Sequence, residues 1–212
     1  MKRLVIYIHG KGGNAGEAAH YQPIFAGCDV TGMAYHAQNP WEACEEFPRL
    51  FDRLAEGYDE VTLIAGSIGA YFAMLSLADK PISQSYFISP VVDMERLITD
   101  MMGWANVTEN ELQSRGVIPT DFGEPLSWEY LCYAREHPIA WRIPTHILYA
   151  GQDHLTARET ITAFAARTGA TLTVMEEGEH WFHTKEQMAF LDAWVGRVRD
   201  ANYGIDEIIR EY

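Results

Sequence analysis

The sequence predicts an α/β protein with a mainly parallel β-sheet and helices on both faces. Short apolar runs rich in β-branched residues recur along the chain, longer helical stretches separate them, and glycine or polar residues end each run. Two of the runs, LVIYI (residues 4–8) and VTLIA (residues 61–65), are apolar or nearly so throughout. Such continuous runs are typical of parallel strands that are covered on both faces, so the sheet is expected to be buried.

Six strands and five helices are expected. The strands are residues 4–8, 28–34, 61–65, 85–89, 145–150 and 171–175. The helices are residues 17–25, 41–56, 69–79, 156–167 and 184–199. Pro23 and Pro48 lie inside the first two helices and are expected to kink or shorten them, because proline lacks the N–H group of the helical ladder. The tail, residues 203–212, has the pattern of a short amphipathic helix with three isoleucines on one side: Ile205, Ile208 and Ile209.

A long insertion separates the fourth strand from the fifth. Residues 91–143 are too many for an ordinary connection, and their apolar residues indicate packed helices. We therefore expect a single domain, residues 1–212, with a helical cap or lid at about 91–143. Most of the apolar residues are expected to form the core of the cap. Three of them are candidates to line a substrate pocket, since methionine adapts to varied shapes: Met101, Met102 and Trp104.

The composition excludes several classes of partner. Lys and Arg number 16 against 30 for Asp and Glu, a formal net charge of −14 that repels phosphate backbones, so no nucleic acid is expected. No apolar run approaches the ~18 residues of a membrane span, and the run after Met1 is too short for a signal peptide. Three scattered cysteines without CxxC spacing argue against a disulfide framework and a zinc site, which fits the cytoplasm: Cys28, Cys44 and Cys132.

The strongest chemical motif is VTLIAGSIGAYFA, residues 61–73. A predicted strand enters the turn Ala65-Gly66-Ser67-Ile68-Gly69 directly, and a predicted helix leaves it. This is the pattern of a nucleophile elbow, in which a serine on a strained strand-to-helix turn needs small residues two before and two after it. The alternative is a tight glycine turn with an N-capping serine.

The first strand ends in the glycine-rich segment YIHGKGGN, residues 7–14. Exposed backbone N–H groups in such a turn can face a developing oxyanion. We predict the N–H groups of Lys11 and of Ile68, the residue after the serine, as the two donors of an oxyanion hole. His9 is interpreted as a histidine that holds this turn, with a catalytic base as the alternative.

An acid and a base follow the last two strands. Asp153 lies in YAGQDH, residues 149–154, and His180 lies in EEGEHWFH, residues 176–183. Both loops come at the carboxyl ends of strands, where sites assemble in open α/β sheets. The predicted catalytic residues are therefore Ser67, Asp153 and His180.

Competing assignments stay open. Asp93 follows the fourth strand and is the alternative acid, His183 is expected to cap or line the start of the last helix, and His154 is expected in a loop near the rim. A metal site built from these histidines with nearby carboxylates lacks the HExxH spacing; those carboxylates are Glu176, Glu177 and Glu179.

Four segments together resemble a known family: His9-Gly10 with its loop, and residues 65–69, 151–153 and 178–180. In spacing and order they are similar to the α/β-hydrolase fold superfamily, in its small lid-bearing serine carboxylesterase and monoacylglycerol-lipase-like branch. The chain order serine, acid, histidine is that of this fold. Two departures are a sheet reduced to six strands and Ala65 in place of the first elbow glycine.

The resemblance implies a serine hydrolase that cleaves a small to medium carboxylic ester through an acyl-enzyme on Ser67. Peptidase or thioesterase activity, or ligand binding without turnover, are the alternatives, because fold and triad leave the acyl donor open. No metal and no cofactor are expected. The expected partner is a small-molecule ester, and both a monomer and a homodimer remain open.

Overall fold

The computed structural model describes the backbone of residues 1–209 and the side chains of residues 1–201. Its strands are β1 (Arg3–Ile8), β2 (Asp29–Gly32), β3 (Glu60–Gly66), β4 (Gln84–Ile88), β5 (Val117–Ile118), β6 (Leu126–Ser127), β7 (Thr145–Ala150) and β8 (Thr171–Met175). Six of them form one sheet in the order β2-β1-β3-β4-β7-β8, and every neighbouring pair in it is parallel. The predicted six-stranded sheet is confirmed.

The helices are α1 (Pro40–Ala55), α2 (Ser67–Ser76), α3 (Met94–Trp104), α4 (Glu109–Arg115), α5 (Trp128–Glu136), α6 (Arg158–Thr168) and α7 (Lys185–Ile209). A 3₁₀ helix covers Ala15–Tyr21 and ends before Pro23, whereas α1 continues through Pro48 without being shortened. Within residues 1–209, none of the helices has an apolar segment that would reach across a bilayer.

The last helix is longer than predicted. The backbone runs as one helix of 25 residues through the segment expected to be a separate tail helix. The predicted isoleucine face of that tail, and residues 210–212, lie outside the described side chains and backbone.

Two apolar layers cover the sheet. Successive residues of β1 alternate between them: Leu4, Ile6 and Ile8 face one cluster, and Val5 and Tyr7 face the other. The first cluster contains residues of α1, α2, α3 and α6, and the second contains residues of the 3₁₀ helix and α7. Because side chains alternate across a strand, helices on both faces explain why β1 and β3 contain nearly continuous apolar runs.

The insertion between β4 and β7 contains α3, α4, α5 and the antiparallel pair β5–β6. This two-residue pair was not predicted, because strands this short leave no periodicity in the sequence. Buried residues of the insertion, such as Leu97, Met102 and Leu131, belong to the same apolar cluster as β1 and α2. The insertion is thus packed continuously onto one face of the sheet.

The strand order reverses beside β1. The chain passes from β1 to β2 on one side and then returns to place β3 on the other side of β1. The carboxyl ends of β1 and β3 lie level, with Ile8 paired to Ala65. A crevice at such a reversal is where open α/β sheets bind ligands, so the loops after β1 and β3 have the position of a site.

Candidate active site

Ser67 lies on a strained turn between β3 and α2. Its φ of +47° is in the left-handed region, which costs a non-glycine residue about 1–3 kcal/mol and persists only where surrounding structure imposes it. α2 begins at Ser67 with no side-chain cap, so the N–H groups of its first turn are unpaired within the helix. The helix therefore presents partial positive charge beside the Ser67 side chain.

Gly69 permits the close approach on which this turn depends. A Cβ atom at residue 69 would lie 2.2 Å from the backbone oxygen of His9, far inside van der Waals contact. The first turn of α2 is thus packed directly against the end of β1. A small residue is required two positions after the serine because a larger one would collide with the end of β1.

Replacing Gly69 with alanine is expected to lower the free energy of unfolding by about 3 kcal/mol, because the new methyl group must displace the His9 backbone. Gly196 in α7 provides the matched control, since a Cβ atom there meets nothing within 4 Å. Gly196→Ala is expected to raise stability by about 0.5–1 kcal/mol through better helix propensity. Urea unfolding of both variants measures the difference, and a Gly69→Ala variant as stable as the wild type would contradict the packing argument.

The structure brings Ser67, His180 and Asp153 into one hydrogen-bonded chain. Ser67 Oγ lies 2.8 Å from His180 Nε2, and His180 Nδ1 lies 2.8 Å from Asp153 Oδ2. A carboxylate only accepts hydrogen bonds, so Nδ1 carries the ring proton and Nε2 is free to accept from the serine hydroxyl. The side chains of His180 and Asp153 are 4% and 0% exposed.

The carboxylate of Asp153 is held by its own loop. Its Oδ1 accepts hydrogen bonds from the backbone N–H groups of Leu155 (2.8 Å) and Thr156 (3.2 Å), which leaves Oδ2 for the imidazole. The Tyr149 hydroxyl donates to the backbone oxygen of Thr156 at 2.8 Å. Burial, together with the negative charge of Asp153, raises the pKa of Tyr149 to about 12, so Tyr149 stays a donor that anchors this loop.

The loops after β7 and β8 meet at Gly151. A Cβ atom there would lie 2.4 Å from the backbone oxygen of Glu176, and Gln152 N–H donates to the Gly178 oxygen at 2.9 Å. These contacts bring the loop that carries Asp153 against the loop that carries His180.

The glycine-rich turn after β1 lies against the serine. A Cβ atom at Gly10 would be 3.1 Å from Ser67 Cβ, and the turn is closed by Gly13 N–H donating to the Gly10 oxygen at 3.2 Å. No acceptor in the described part of the chain takes a hydrogen bond from the backbone N–H of Lys11 or Ile68. Both N–H groups thus remain available as donors, and their role in an oxyanion hole stays a prediction.

Two contacts join the turn and the elbow to the insertion. The Lys11 ammonium forms an exposed ion pair with Glu124, and the backbone N–H of Val91 donates to the backbone oxygen of Ser67 at 3.2 Å. An ion pair this exposed contributes little to stability. It does place the loop that contains Glu124 beside the glycine-rich turn after β1.

The competing residues have other contacts. The Asp93 carboxylate caps α3 by accepting from Arg96 N–H at 2.9 Å, and His154 is exposed. His183 N–H donates to the Gln187 side chain at 3.0 Å, at the start of α7. Of the carboxylates near these histidines, Glu176 pairs with Arg158 at 2.8 Å, and Glu179 lies 3.3 Å from His183.

The three predicted pocket residues lie on α3 in different environments. Met102 is buried in the core, Met101 is half-buried, and Trp104 is 52% exposed with its ring edge-on to Phe122 at 5.9 Å. No ring contact or hydrogen bond joins them to Ser67 or His180 among the described side chains. Their role in substrate binding stays a prediction.

Two residues at this edge were not predicted. Ser89 directly follows β4 with a φ of +42°, and its buried hydroxyl has no hydrogen-bond partner among the described residues. Tyr35 contacts the turn after β1 through both its ring and its hydroxyl. Neither belongs to a local motif, so only the tertiary contacts reveal them.

Comparison with known proteins identifies the fold. No protein-family model and no curated protein sequence matches the chain. Est1E from Butyrivibrio proteoclasticus matches in structure with a TM-score of 0.75 at 15% identity, over 96% of this chain and 89% of that one. Alpha/beta hydrolase domain-containing protein 10 from mouse matches with a TM-score of 0.76 at 14% identity, over 93% and 90%. An esterase of Pyrococcus furiosus matches with a TM-score of 0.59 at 17% identity, over 94% and 81%.

These similarities define the class to which the architecture belongs. The chain has the α/β-hydrolase fold, as its sequence predicts. At such low identity the likeness carries the fold alone, and the activity has to be argued from the residues at the sheet edge.

Proposed function

We propose that this protein is a serine hydrolase that cleaves a small to medium carboxylic ester through an acyl-enzyme on Ser67. The observation that carries the proposal is the chain of two 2.8 Å hydrogen bonds from Ser67 through His180 to Asp153. A nucleophile, a base and an orienting acid in this order match the general requirements of a serine nucleophile.

The first chemical step is the attack of Ser67 on the ester carbonyl. A neutral hydroxyl is a weak nucleophile, so His180 Nε2 takes the proton as the Oγ–carbon bond forms. Asp153 keeps the ring in the required tautomer and stabilises the imidazolium that results. His180 then gives this proton to the departing alkoxide, and the acyl-enzyme remains.

Deacylation repeats the sequence with water. His180 takes a proton from the water molecule that attacks the acyl carbon, and returns it to Ser67 Oγ as the acid leaves. In both steps the carbonyl oxygen becomes negatively charged. The backbone N–H groups of Lys11 and Ile68 stabilise it, together with the start of α2.

We also propose that residues 91–143 form a cap on the substrate side of this site within a single domain. Three features support this role: the hydrogen bond from the Val91 N–H to the backbone oxygen of Ser67, the ion pair between Glu124 and Lys11, and the exposed aromatic pair Trp104 and Phe122. The cap is proposed to supply apolar surface for an acyl or aryl group. The three candidates on α3 are proposed to line it.

The names of similar structures agree with an acyl-transfer reaction without selecting the acyl donor. They include the Pyrococcus furiosus esterase, an esterase domain from a Rhodothermus marinus protein, and a thioesterase domain from the curacin biosynthetic pathway. Est1E is also described with ferulic acid bound. We propose an ester, and retain thioester or amide hydrolysis as alternatives in the test.

The specificity constant for p-nitrophenyl esters is expected to rise from acetyl to butyryl or hexanoyl. Each methylene buried under the cap contributes about 0.8 kcal/mol, which corresponds to about a fourfold gain per methylene. Steady-state kinetics with esters of increasing acyl length measures this series. A maximum at acetyl would contradict an apolar acyl site.

The same panel separates the alternatives. Matched p-nitroanilides test a peptidase, and matched N-acetylcysteamine thioesters test a thioesterase. If either series is turned over faster than the esters, the substrate is an amide or a thioester and the proposed ester is wrong. Saturable binding of an ester without any turnover would instead indicate a ligand-binding protein.

A further inference from the structure

Tyr35, which follows β2, contacts His9 through both its ring and its hydroxyl. Its ring stacks on the His9 imidazole with centroids 4.3 Å apart and an interplanar angle of 13°. Its hydroxyl donates to the backbone oxygen of His9 at 2.8 Å. The Tyr35 ring also packs against Phe47 of α1, with centroids 4.9 Å apart, so the core holds the tyrosine in place.

His9 in turn controls the direction of the Lys11 N–H group. The Gly10 oxygen lies 2.7 Å from His9 Nδ1 and accepts from Gly13 N–H at 3.2 Å. A carbonyl oxygen only accepts, so His9 Nδ1 is the donor in this contact. In a planar trans peptide the C=O and the following N–H point in opposite directions, so fixing the Gly10 oxygen fixes the Lys11 N–H.

The His9 backbone oxygen is held from two sides. The Tyr35 hydroxyl bonds it, and Gly69 of α2 approaches it so closely that a Cβ atom there would lie 2.2 Å away. The end of β1 is therefore fixed relative to the first turn of α2, which carries Ser67 and the Ile68 N–H. The imidazole that stacks on Tyr35 also donates to the Gly10 oxygen, so it fixes that oxygen relative to the same elements.

We propose that Tyr35 is a positioning residue that aligns the Lys11 N–H with the oxyanion formed at the carbon attacked by Ser67. The inference deepens the proposed function and rests on it, because the alignment matters only if an oxyanion forms there. Tyr35 itself does not touch the reacting atoms. It acts through His9 and the Gly10 carbonyl.

Tyr35→Phe tests the proposal, since it keeps the ring stack and removes the hydroxyl. Loss of a whole oxyanion donor costs about 10²- to 10³-fold in kcat, so its misalignment is expected to cost about tenfold. KM for the p-nitrophenyl ester is expected to stay within about twofold, because the ground-state carbonyl depends little on the donor. Affinity for a trifluoromethyl ketone, which forms a hemiketal oxyanion on Ser67, is expected to fall by the same factor as kcat.

His9→Phe provides a second variant that keeps an aromatic ring on Tyr35 and removes the Nδ1 donor. It is expected to lower kcat and the affinity for the ketone, as Tyr35→Phe does. The losses in the double variant are expected to be smaller than the sum of the two single losses in free energy, because both residues act through one peptide. Thermal unfolding of each variant verifies that the protein is folded under the assay conditions.

The chain offers two matched controls. The Tyr58 hydroxyl donates to the Asp29 carboxylate at 2.8 Å at the amino-terminal edge of the sheet, so Tyr58→Phe removes a similar bond elsewhere. His137 stacks on Tyr133 at 3.9 Å and 13°, with Nδ1 2.9 Å from the Tyr133 oxygen, so His137→Phe removes a similar histidine contact at the end of α5. Both controls are expected to leave kcat and ketone affinity unchanged.

Two outcomes would overturn the inference. If the wild type is active and Tyr35→Phe leaves kcat and ketone affinity unchanged, or raises only KM, Tyr35 does not position the donor. If the wild type neither hydrolyses the ester nor binds the ketone, the proposed function fails and this inference fails with it. The two failures differ in the behaviour of the wild type.

Discussion

Ser67→Ala is expected to lower kcat for ester hydrolysis by a factor of about 10⁴ or more. Removing the nucleophile of a triad leaves only the contributions of substrate binding and oxyanion stabilisation to the rate. The same variant is expected to lose covalent labelling by a fluorophosphonate, which requires a hydroxyl activated by a neighbouring base. Intact mass measures the labelling, and steady-state kinetics measures the turnover.

Ser89 is the matched control for this substitution. Like Ser67 it directly follows a strand and has a positive φ, +42° against +47°, but its hydroxyl is buried and has no partner among the described residues, whereas Ser67 faces His180 at 2.8 Å. Ser89→Ala is expected to be labelled like the wild type. Labelling that persists in Ser67→Ala would contradict the assignment of the nucleophile.

Asp153→Asn is expected to lower kcat by about 10⁴-fold with little effect on folding. Its carbonyl can keep the two backbone bonds that Oδ1 accepts, so its amide NH₂ would face His180 Nδ1. Two donors cannot pair, so the imidazole would move its proton to Nε2. It could then no longer accept the proton of Ser67.

Asp93→Asn is the control for the acid. Asp93 caps α3, and asparagine is an equally good N-cap residue, so this variant is expected to keep both stability and turnover. Steady-state kinetics of the two variants, beside circular dichroism to verify folding, measures the contrast. A larger loss in Asp93→Asn would move the acid to the loop after β4.

Much of the fold was predictable because its signals are local. The buried strands are short apolar runs that end in glycine or polar residues, and β7 and β8 begin and end where the sequence predicts. Less was predictable where structure depends on packing. The 3₁₀ helix is shorter than the expected helix, and the two-residue strands β5 and β6 have no periodic pattern.

The candidate site also has one part that the sequence predicts and another that depends on packing. Ser67, Asp153 and His180 each follow a predicted strand, and the carboxyl ends of parallel strands share one edge, so the sequence predicts that all three lie at that edge. The three predicted pocket residues cannot be placed with the same reasoning. Met101, Met102 and Trp104 are neighbours in sequence, yet one is buried, one is half-buried and one is exposed, because a helix presents each residue in a different direction.

The sequence by itself determined most strands and the serine turn, because these depend on residues close together in the chain, and it placed the three candidate catalytic residues after three of those strands. Only the tertiary structure decided that the His180 imidazole is hydrogen-bonded to Asp153 and that Tyr35 holds His9. Those outcomes depend on contacts between residues distant in the chain. Such contacts follow from how whole elements pack, and no local pattern encodes them.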